Sequence, residues 1–305
     1  MIPADRPSIE MIERERIRRF LAKSWSGKLD SARFRWQRLW AGVPSLVRLP
    51  FGARWLIWRD GVSPAVAGGE FESAEAKFVA RYLKPGMTVL DIGAHHGFYS
   101  LLASHQVGSR GRVLAFEPSS RERRKLRLNI GLNAARNIKV KPVALGAKNG
   151  QAEFFQVRGV QTGCNSLRPP AVDEPVRVLH VPVARLDKVL EREGVEQVDF
   201  VKMDVEGGEL AVLKGAGRLL EQRPRPVMLI EVYDIRTAPW GYAAREIVDY
   251  ILQRGFRWFS LGERGQLEPV AAEAATFDNN FVAVPEERVE QLQGLIACKE
   301  RAQCL

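Results

Sequence analysis

The fold class this 305-residue sequence predicts is α/β: a doubly wound sheet with a terminal antiparallel hairpin and an N-terminal helical extension. Three observations predict it. From residue 70 onward, short β-branched runs alternate with helix-length segments, the pattern of a mostly parallel sheet with helices on its faces. The run T-V-L-D-I-G-A-H-H-G-F-Y at 88–99 joins a strand to a helix through Gly93 and Gly97, and in such first crossovers glycines let the backbone approach a ligand closely. A second strand then ends in Glu117-Pro118, where an acidic side chain can accept hydrogen bonds from ribose hydroxyls.

The elements follow in order. Helices are expected over 9–23 and 30–40, then a loop holding Pro44 and Pro50. A helix over 70–82 leads through the turn Lys84-Pro85-Gly86 into the first strand, 88–92, and a helix over 98–106 follows. The second strand is 112–116, with a helix over 121–132 behind it, and a third strand is expected over 138–145. Extended runs at 152–157 and 180–183 flank a Gly- and Pro-containing loop, 158–175. The fourth core strand is 198–203, the helix behind it 209–221, and the fifth strand 227–232. A helix over 243–255 then leads to strands at 258–261 and 280–284, which close the sheet as a hairpin. No internal repeat or low-complexity segment interrupts this order. The expected domains are an extension over 1–69, a core domain over 70–288 and a helical tail over 289–305.

Composition bounds the reading. With 46% hydrophobic residues the chain can bury a sizeable core. No apolar run approaches the twenty or so residues of a membrane span, and the amino terminus lacks the apolar core of a secretory signal. Cys164, Cys298 and Cys304 show no metal-binding spacing and suit free thiols in a reducing cytoplasm. The net charge of +10 is uneven: residues 1–60 hold thirteen Arg or Lys against six Asp or Glu, together with Trp25, Trp36, Trp40, Trp55 and Trp58. Such a segment can lie on an anionic membrane surface, pack as a cap on the core or on a second copy in a homo-oligomer, or follow a phosphate backbone.

In doubly wound sheets the ligand sits beyond the carboxyl ends of the strands, at the switch in strand order. Asp91, Glu117, Asp204 and Glu231 stand at those ends on strands one, two, four and five. Gathering carboxylates there costs free energy unless cations or hydrogen bonds compensate, so the rim reads as a site. The spacing Gly93-x-x-x-Gly97 is not the dinucleotide pattern, whose second glycine is here His95. It is similar instead to the D-x-G-x-x-x-G turn of S-adenosyl-L-methionine (SAM) methyltransferases.

The segment V-D-F-V-K-M-D-V-E-G-G-E at 198–209 resembles the hallmark of the FkbM family of SAM-dependent methyltransferases. So do F-x-x-x-E from Phe71 to Glu75, V-L-D-I-G-A, A-F-E-P, N-x-x-x-x-P-V-A-L-G, Leu186-Asp187, I-E-V at Ile230 and N-N-F at Asn279. The resemblance covers roughly residues 70–285. It implies a Class I methyltransferase fold, a Rossmann-like doubly wound sheet, and O-methylation of hydroxyls, often on sugars or natural products. One departure is His95, where that family usually carries Asn.

The expected cofactor-binding residues are Asp91, Gly93, Ala94, His95, Gly97, Phe98, Glu117, Pro118, Ala144, Leu145 and Asp204. Gly93 and Gly97 could instead serve packing alone, Asp91 could fix the turn, and His95 and His96 could simply line the loop. By resemblance Asp204 faces the transferred methyl. An alcohol must lose its proton as the new bond forms, and a carboxylate or imidazole within reach can take it. Asp204 is the first candidate base, with Glu231 and His96 behind it, and Lys202 can keep its carboxylate neighbours ionised. Alternatively Asp204, Glu231 and Asp234 could hold Mg²⁺, which would acidify vicinal hydroxyls. Glu209 is expected to cap a helix.

The acceptor pocket is expected from Gly163, Asn165 and Ser166 and from loop 233–242, where Tyr233, Trp240 and Tyr242 could stack on a sugar or form an apolar lid. No N/D-P-P-Y/F turn, the amide-holding device of amino-methyltransferases, is present, which favours a hydroxyl on a small molecule or glycan. Nucleic acid is the less favoured acceptor, because the positive charge lies outside the core domain. A silent binding protein is disfavoured by the intact rim. The chain is expected to be cytoplasmic, or peripheral on the inner face of the membrane.

Overall fold

The computed structural model of the chain describes residues 45–270 and 277–297. The helices expected over 9–23 and 30–40 lie outside the described residues, as do Trp25, Trp36, Trp40, Cys298 and Cys304. Residues 1–46 and 47–305 form two units, and the site lies in the second.

Thirteen strands are described. In chain order they are β1 (Ser45–Arg48), β2 (Arg54–Ile57), β3 (Thr88–Ile92), β4 (Arg112–Phe116), β5 (Ile138–Lys141), β6 (Ala144–Leu145) and β7 (Gly150–Val157). The remainder are β8 (Val176–Ala184), β9 (Phe200–Met203), β10 (Val227–Tyr233), β11 (Phe256–Leu261), β12 (Leu267–Pro269) and β13 (Asp278–Pro285). The main sheet has the order β12-β11-β13-β10-β9-β3-β4-β5. Strands β10, β9, β3, β4 and β5 are parallel, and β13 is antiparallel to both neighbours. The chain order reverses between β3 and β9, the switch point at which a doubly wound sheet opens a ligand crevice. This is the doubly wound class expected, with one refinement. The closing pair is not a simple hairpin, because β13 inserts between β10 and β11 and the short β12 pairs outside β11.

Helices cover both faces. They are α1 (Val62–Ala67), α2 (Ser73–Tyr82), α3 (Phe98–Val107), α4 (Ser120–Leu132), α5 (Leu186–Glu193), α6 (Glu209–Lys214), α7 (Gly217–Glu221), α8 (Asp234–Thr237) and α9 (Arg245–Leu252). Strand side chains alternate faces. Ile92, Phe116, Met203 and Ile230 join one buried cluster with α6 and α9, and Val89, Phe200 and Leu229 join another with α2 and α3. The same alternation assigns Asp91, Lys202 and Glu231 to the α2 and α3 face. Asp91 is the register partner of Lys202, and Glu231 that of Asn280.

Two expected elements divide. The strand over 138–145 is two: β5 belongs to the main sheet, whereas β6 pairs with β8 in a separate three-stranded sheet, β6-β8-β7. Pro142, between them, has no amide hydrogen with which to continue a ladder. The helix over 209–221 breaks between α6 and α7 at Gly215, whose backbone packs so close to Gly146 that a Cβ would lie 2.2 Å from its carbonyl oxygen. Residues 47–69, assigned by sequence to the extension, pack with the sheet domain. Trp55 is fully buried and meets Phe98 edge-on, while Lys125 lies over the Trp58 ring. Among the described residues no helix is long and apolar enough to cross a membrane.

Candidate active site

A cavity of about 290 Å³ opens at the carboxyl ends of β3, β4, β9 and β10. The glycine turn forms its floor for reasons of close packing. Gly93 has φ +84, and a Cβ on it would stand 1.7 Å from the carbonyl oxygen of Asp204. Only glycine lets β3 leave the sheet this close to the end of β9. Gly97 has φ +91, and its missing Cβ leaves room for Leu126 of α4, at 2.3 Å. Gly97 is not among the residues lining the cavity, and the space beside it is filled by Leu126.

At one end stands Glu117. Its carboxylate accepts the backbone N–H of His95 at 2.8 Å and that of Ser119 at 2.8 Å. Burial pushes this carboxyl up to about 8, against the pull of those two amides. Pro118, Ala94, Ala144 and Leu145 line the wall around it, and Phe98 also lines the cavity. Asp91 borders the cavity, but its carboxylate accepts the Ser100 hydroxyl at 2.5 Å, and burial raises it to about 6. Asp91 therefore ties β3 to α3.

At the other end the charged groups converge. Lys202 Nζ lies 3.4 Å from Asp204 Oδ2 and 3.1 Å from Asn280 Oδ1. Burial works to lower its pKa, but Glu72, Asp204, Glu231 and Asp91 together hold it above the ordinary lysine range. Glu231 is raised well above the carboxylate range by burial and then by Asp204 and Glu206, and its Oε2 is buried without a hydrogen-bond partner. Glu206 adopts φ 56 in the turn after β9. Arg236 Nε lies 2.9 Å from its Oε2, an ion pair in which the N–H is not aimed at the oxygen. Glu209 opens α6, is buried and accepts the Val205 amide at 2.9 Å, in the turn before the helix.

Two expected site residues are engaged by other groups. Asp234 stands near Glu231 in sequence but not in the cavity. Its carboxylate accepts the amides of Ala244 and Phe277, at 3.1 and 3.2 Å. Glu206 takes its place, and donor oxygens of Asp204, Glu206 and Glu231 lie within 4.8 Å of one another. His96 lines the cavity, but its Nε2 bonds Glu122 at 2.7 Å and its Nδ1 faces Asp60 at 3.6 Å. Burial lowers its pKa. His95, His96 and Glu122 are also close enough to share a metal, but Lys125 Nζ, 3.2 Å from Glu122, already supplies a cation there. His95, at φ 48, meets Thr162 Oγ1 through Nε2 at 3.1 Å.

The acceptor side is partly as expected. Gly163, Asn165, Ser166 and Trp240 line the cavity. Trp240 donates to the Glu206 carbonyl at 3.2 Å, and Arg168 lies over its ring. Tyr233 and Tyr242 do not line it, and the Tyr242 hydroxyl donates to the Gly207 carbonyl instead. Sequence reasoning did not single out Glu72, Tyr99, Arg236 or Asn280 for the site, and it read Glu206 only as an acid at a helix start. Glu72, Tyr99, Glu206 and Asn280 nonetheless lie within the motif segments at 71–75, 88–99, 198–209 and 279–281.

The model of the methyltransferase FkbM domain matches residues 91–258. The chain belongs to the FkbM methyltransferase family. It is 27% identical over 209 residues to the AMB antimetabolite synthetase AmbE of Pseudomonas aeruginosa, covering 57% of this chain and 10% of that protein. It is 27% identical over 152 residues to the 2-O-methyltransferase NoeI of Sinorhizobium fredii, covering 45% of this chain and 60% of that protein. The chain thus spans less than two thirds of either relative. A solved FkbM methyltransferase from Methylobacillus flagellatus is 17% identical, with a TM-score of 0.42, covering 74% of this chain and 56% of that one.

Proposed function

We propose that this FkbM-family chain is a SAM-dependent O-methyltransferase acting on a hydroxyl of a sugar, glycolipid or related natural product. The observation that carries the reading is a single cavity with a buried carboxylate, Glu117, at one end and the Lys202–Asp204–Glu231 cluster at the other. The name of NoeI, a 2-O-methyltransferase, favours oxygen as the acceptor atom.

The residues fit the cofactor. Glu117 has lone pairs left to accept two ribose hydroxyls, and the apolar wall of Ala144 and Leu145 suits an adenine. When bound, SAM supplies an electrophilic methyl group on a sulfonium. The protein's part is alignment and proton removal. Asp204 takes the acceptor's proton as the new carbon–oxygen bond forms, while the electron pair of the broken carbon–sulfur bond stays on sulfur. Lys202 Nζ, 3.4 Å from Asp204 Oδ2, holds that carboxylate in place for this step.

A second reading has its own observation. The orphaned Oε2 of Glu231, with Asp204 and Glu206 within 4.8 Å, is an all-oxygen set suited to a hard divalent cation such as Mg²⁺. That ion would lower the pKa of a vicinal diol. Methyl transfer from labelled SAM to a panel of sugar hydroxyls, with and without exhaustive chelation, tests both. Turnover that survives chelation leaves Asp204 as the base, turnover lost to it and restored by Mg²⁺ supports the metal, and labelling of nitrogen acceptors alone overturns O-methylation. Trp55 and Trp58 pack with the sheet domain, while the remaining basic residues with Trp25, Trp36 and Trp40 support an anionic membrane surface as a partner.

A further inference from the structure

Glu72 lines the cavity from outside the motifs of the sheet. Its backbone has φ 39 and ψ 52, a left-handed conformation that an L residue with a Cβ rarely adopts. Two bonds hold it there. Its carbonyl accepts the Ala76 amide at 2.8 Å, at the start of α2, and its carboxylate accepts the Tyr99 hydroxyl at 2.5 Å. Tyr99 is the second residue of α3, immediately after the glycine turn. The strained backbone and the tyrosine together fix a carboxylate against the cavity.

The charge around it is unbalanced. Lys202 Nζ is 3.9 Å from Glu72 Oε2, yet Lys202 also answers to Asp204, Glu231 and Asp91. By distance one ammonium serves both Glu72 and Asp204, so this end of the cavity is short of positive charge. Burial pushes the Glu72 carboxyl up even with Lys202 pulling it down. A ligand that brought its own ammonium would supply the missing cation. Glu117, the expected ribose partner, stands at the end of β4 and is engaged by the His95 and Ser119 amides.

We infer that Glu72, held by Tyr99, is the binding residue for the α-ammonium of the cofactor's methionine tail. This rests on the SAM reading above. A charge-assisted bond of this kind changes affinity by about tenfold or more. It acts on any ligand that carries the amino-acid tail and on none that lacks it.

The test compares two ligands by calorimetry. S-adenosylhomocysteine carries the tail, and 5′-methylthioadenosine keeps the adenosine but has no amino acid. In Glu72→Gln, the dissociation constant for S-adenosylhomocysteine should rise by about tenfold or more, while that for methylthioadenosine stays as in the wild type. Tyr99→Phe should give a smaller rise in the same direction. Glu72→Gly removes the carboxylate together with the backbone strain, so it should fold at least as well as Glu72→Gln and lose the same affinity. An equal change for both ligands overturns the inference, and so does a loss of turnover with S-adenosylhomocysteine affinity intact, which would make Glu72 a base. If the wild type binds neither ligand, the cofactor reading itself has failed.

Discussion

Lys202 on β9 reaches past β10 to donate to Asn280 Oδ1 on β13, at 3.1 Å. Asn280 in turn donates through Nδ2 to Glu75 Oε1 at 3.3 Å. One amide thus ties the antiparallel insertion to both the parallel strands and α2. All three side chains are buried, so each unmet partner would cost free energy. Asn280→Leu should destabilise the protein by about 1–3 kcal/mol in urea unfolding. Turnover should fall further than the lost stability alone explains, because Lys202 is freed from its position beside Asp204. Unchanged turnover would show that Asn280 is only structural.

The two glycines of the turn should behave differently. Gly93→Ala drives a Cβ into the Asp204 carbonyl, and backbone cannot yield cheaply. Gly97→Ala meets the flexible end of Leu126. Both also incur the left-handed penalty of about 1–3 kcal/mol. Thermal unfolding should therefore rank Gly93→Ala as the more damaging, with the larger loss of cofactor affinity. The reverse order would contradict the packing described here.

Glu117 makes stability depend on pH in an unusual direction. Its carboxyl rises from 4.5 to about 8 on folding, mainly through burial, so the folded state binds its proton more tightly than the unfolded state. That contribution is complete below pH 4.5 and is lost as pH climbs to about 8. Glu117→Gln stays neutral throughout. The melting temperature of the unliganded wild type, relative to Glu117→Gln, should therefore fall between these limits. A difference that is flat across the window, or that rises, would contradict the shift.

Asp204 and His96 should separate by function. Asp204→Asn removes the proposed base and should lower turnover by about 10²- to 10⁴-fold with cofactor affinity little changed. His96→Gln disturbs the buried Asp60–Glu122–Lys125 cluster, so its main effect should be on unfolding, about 1–3 kcal/mol. If His96→Gln abolished turnover in a fully folded protein, His96 would return as a catalytic candidate.

Much of this was legible in the sequence because local chemistry encodes it. Thr88–Ile92 and Arg112–Phe116 are strands bounded by turn residues, and both were read to the residue. Their carboxyl ends supplied Asp91 and Glu117, and the strand ends at Asp204 and Glu231 supplied the cavity's charged end. What escaped depends on tertiary position. Asp234 lies three residues beyond Glu231, yet the start of α8 turns its carboxylate toward the Ala244 and Phe277 amides. Glu72 occupies an open position of the F-x-x-x-E motif, and its left-handed backbone and its bond to Tyr99 exist only in the folded chain. Gly97 looks like a ligand glycine until Leu126 is seen against it. The strand-like stretch from Ile138 to Leu145 conceals a change of sheet at Pro142.

The most direct test of the central claim is calorimetric titration of SAM and S-adenosylhomocysteine into wild-type protein and into Glu117→Ala. The cavity predicts dissociation constants on the order of micromolar for the wild type and a loss of about tenfold or more in the variant. Absence of binding to the wild type, or equal binding to both proteins, would contradict it.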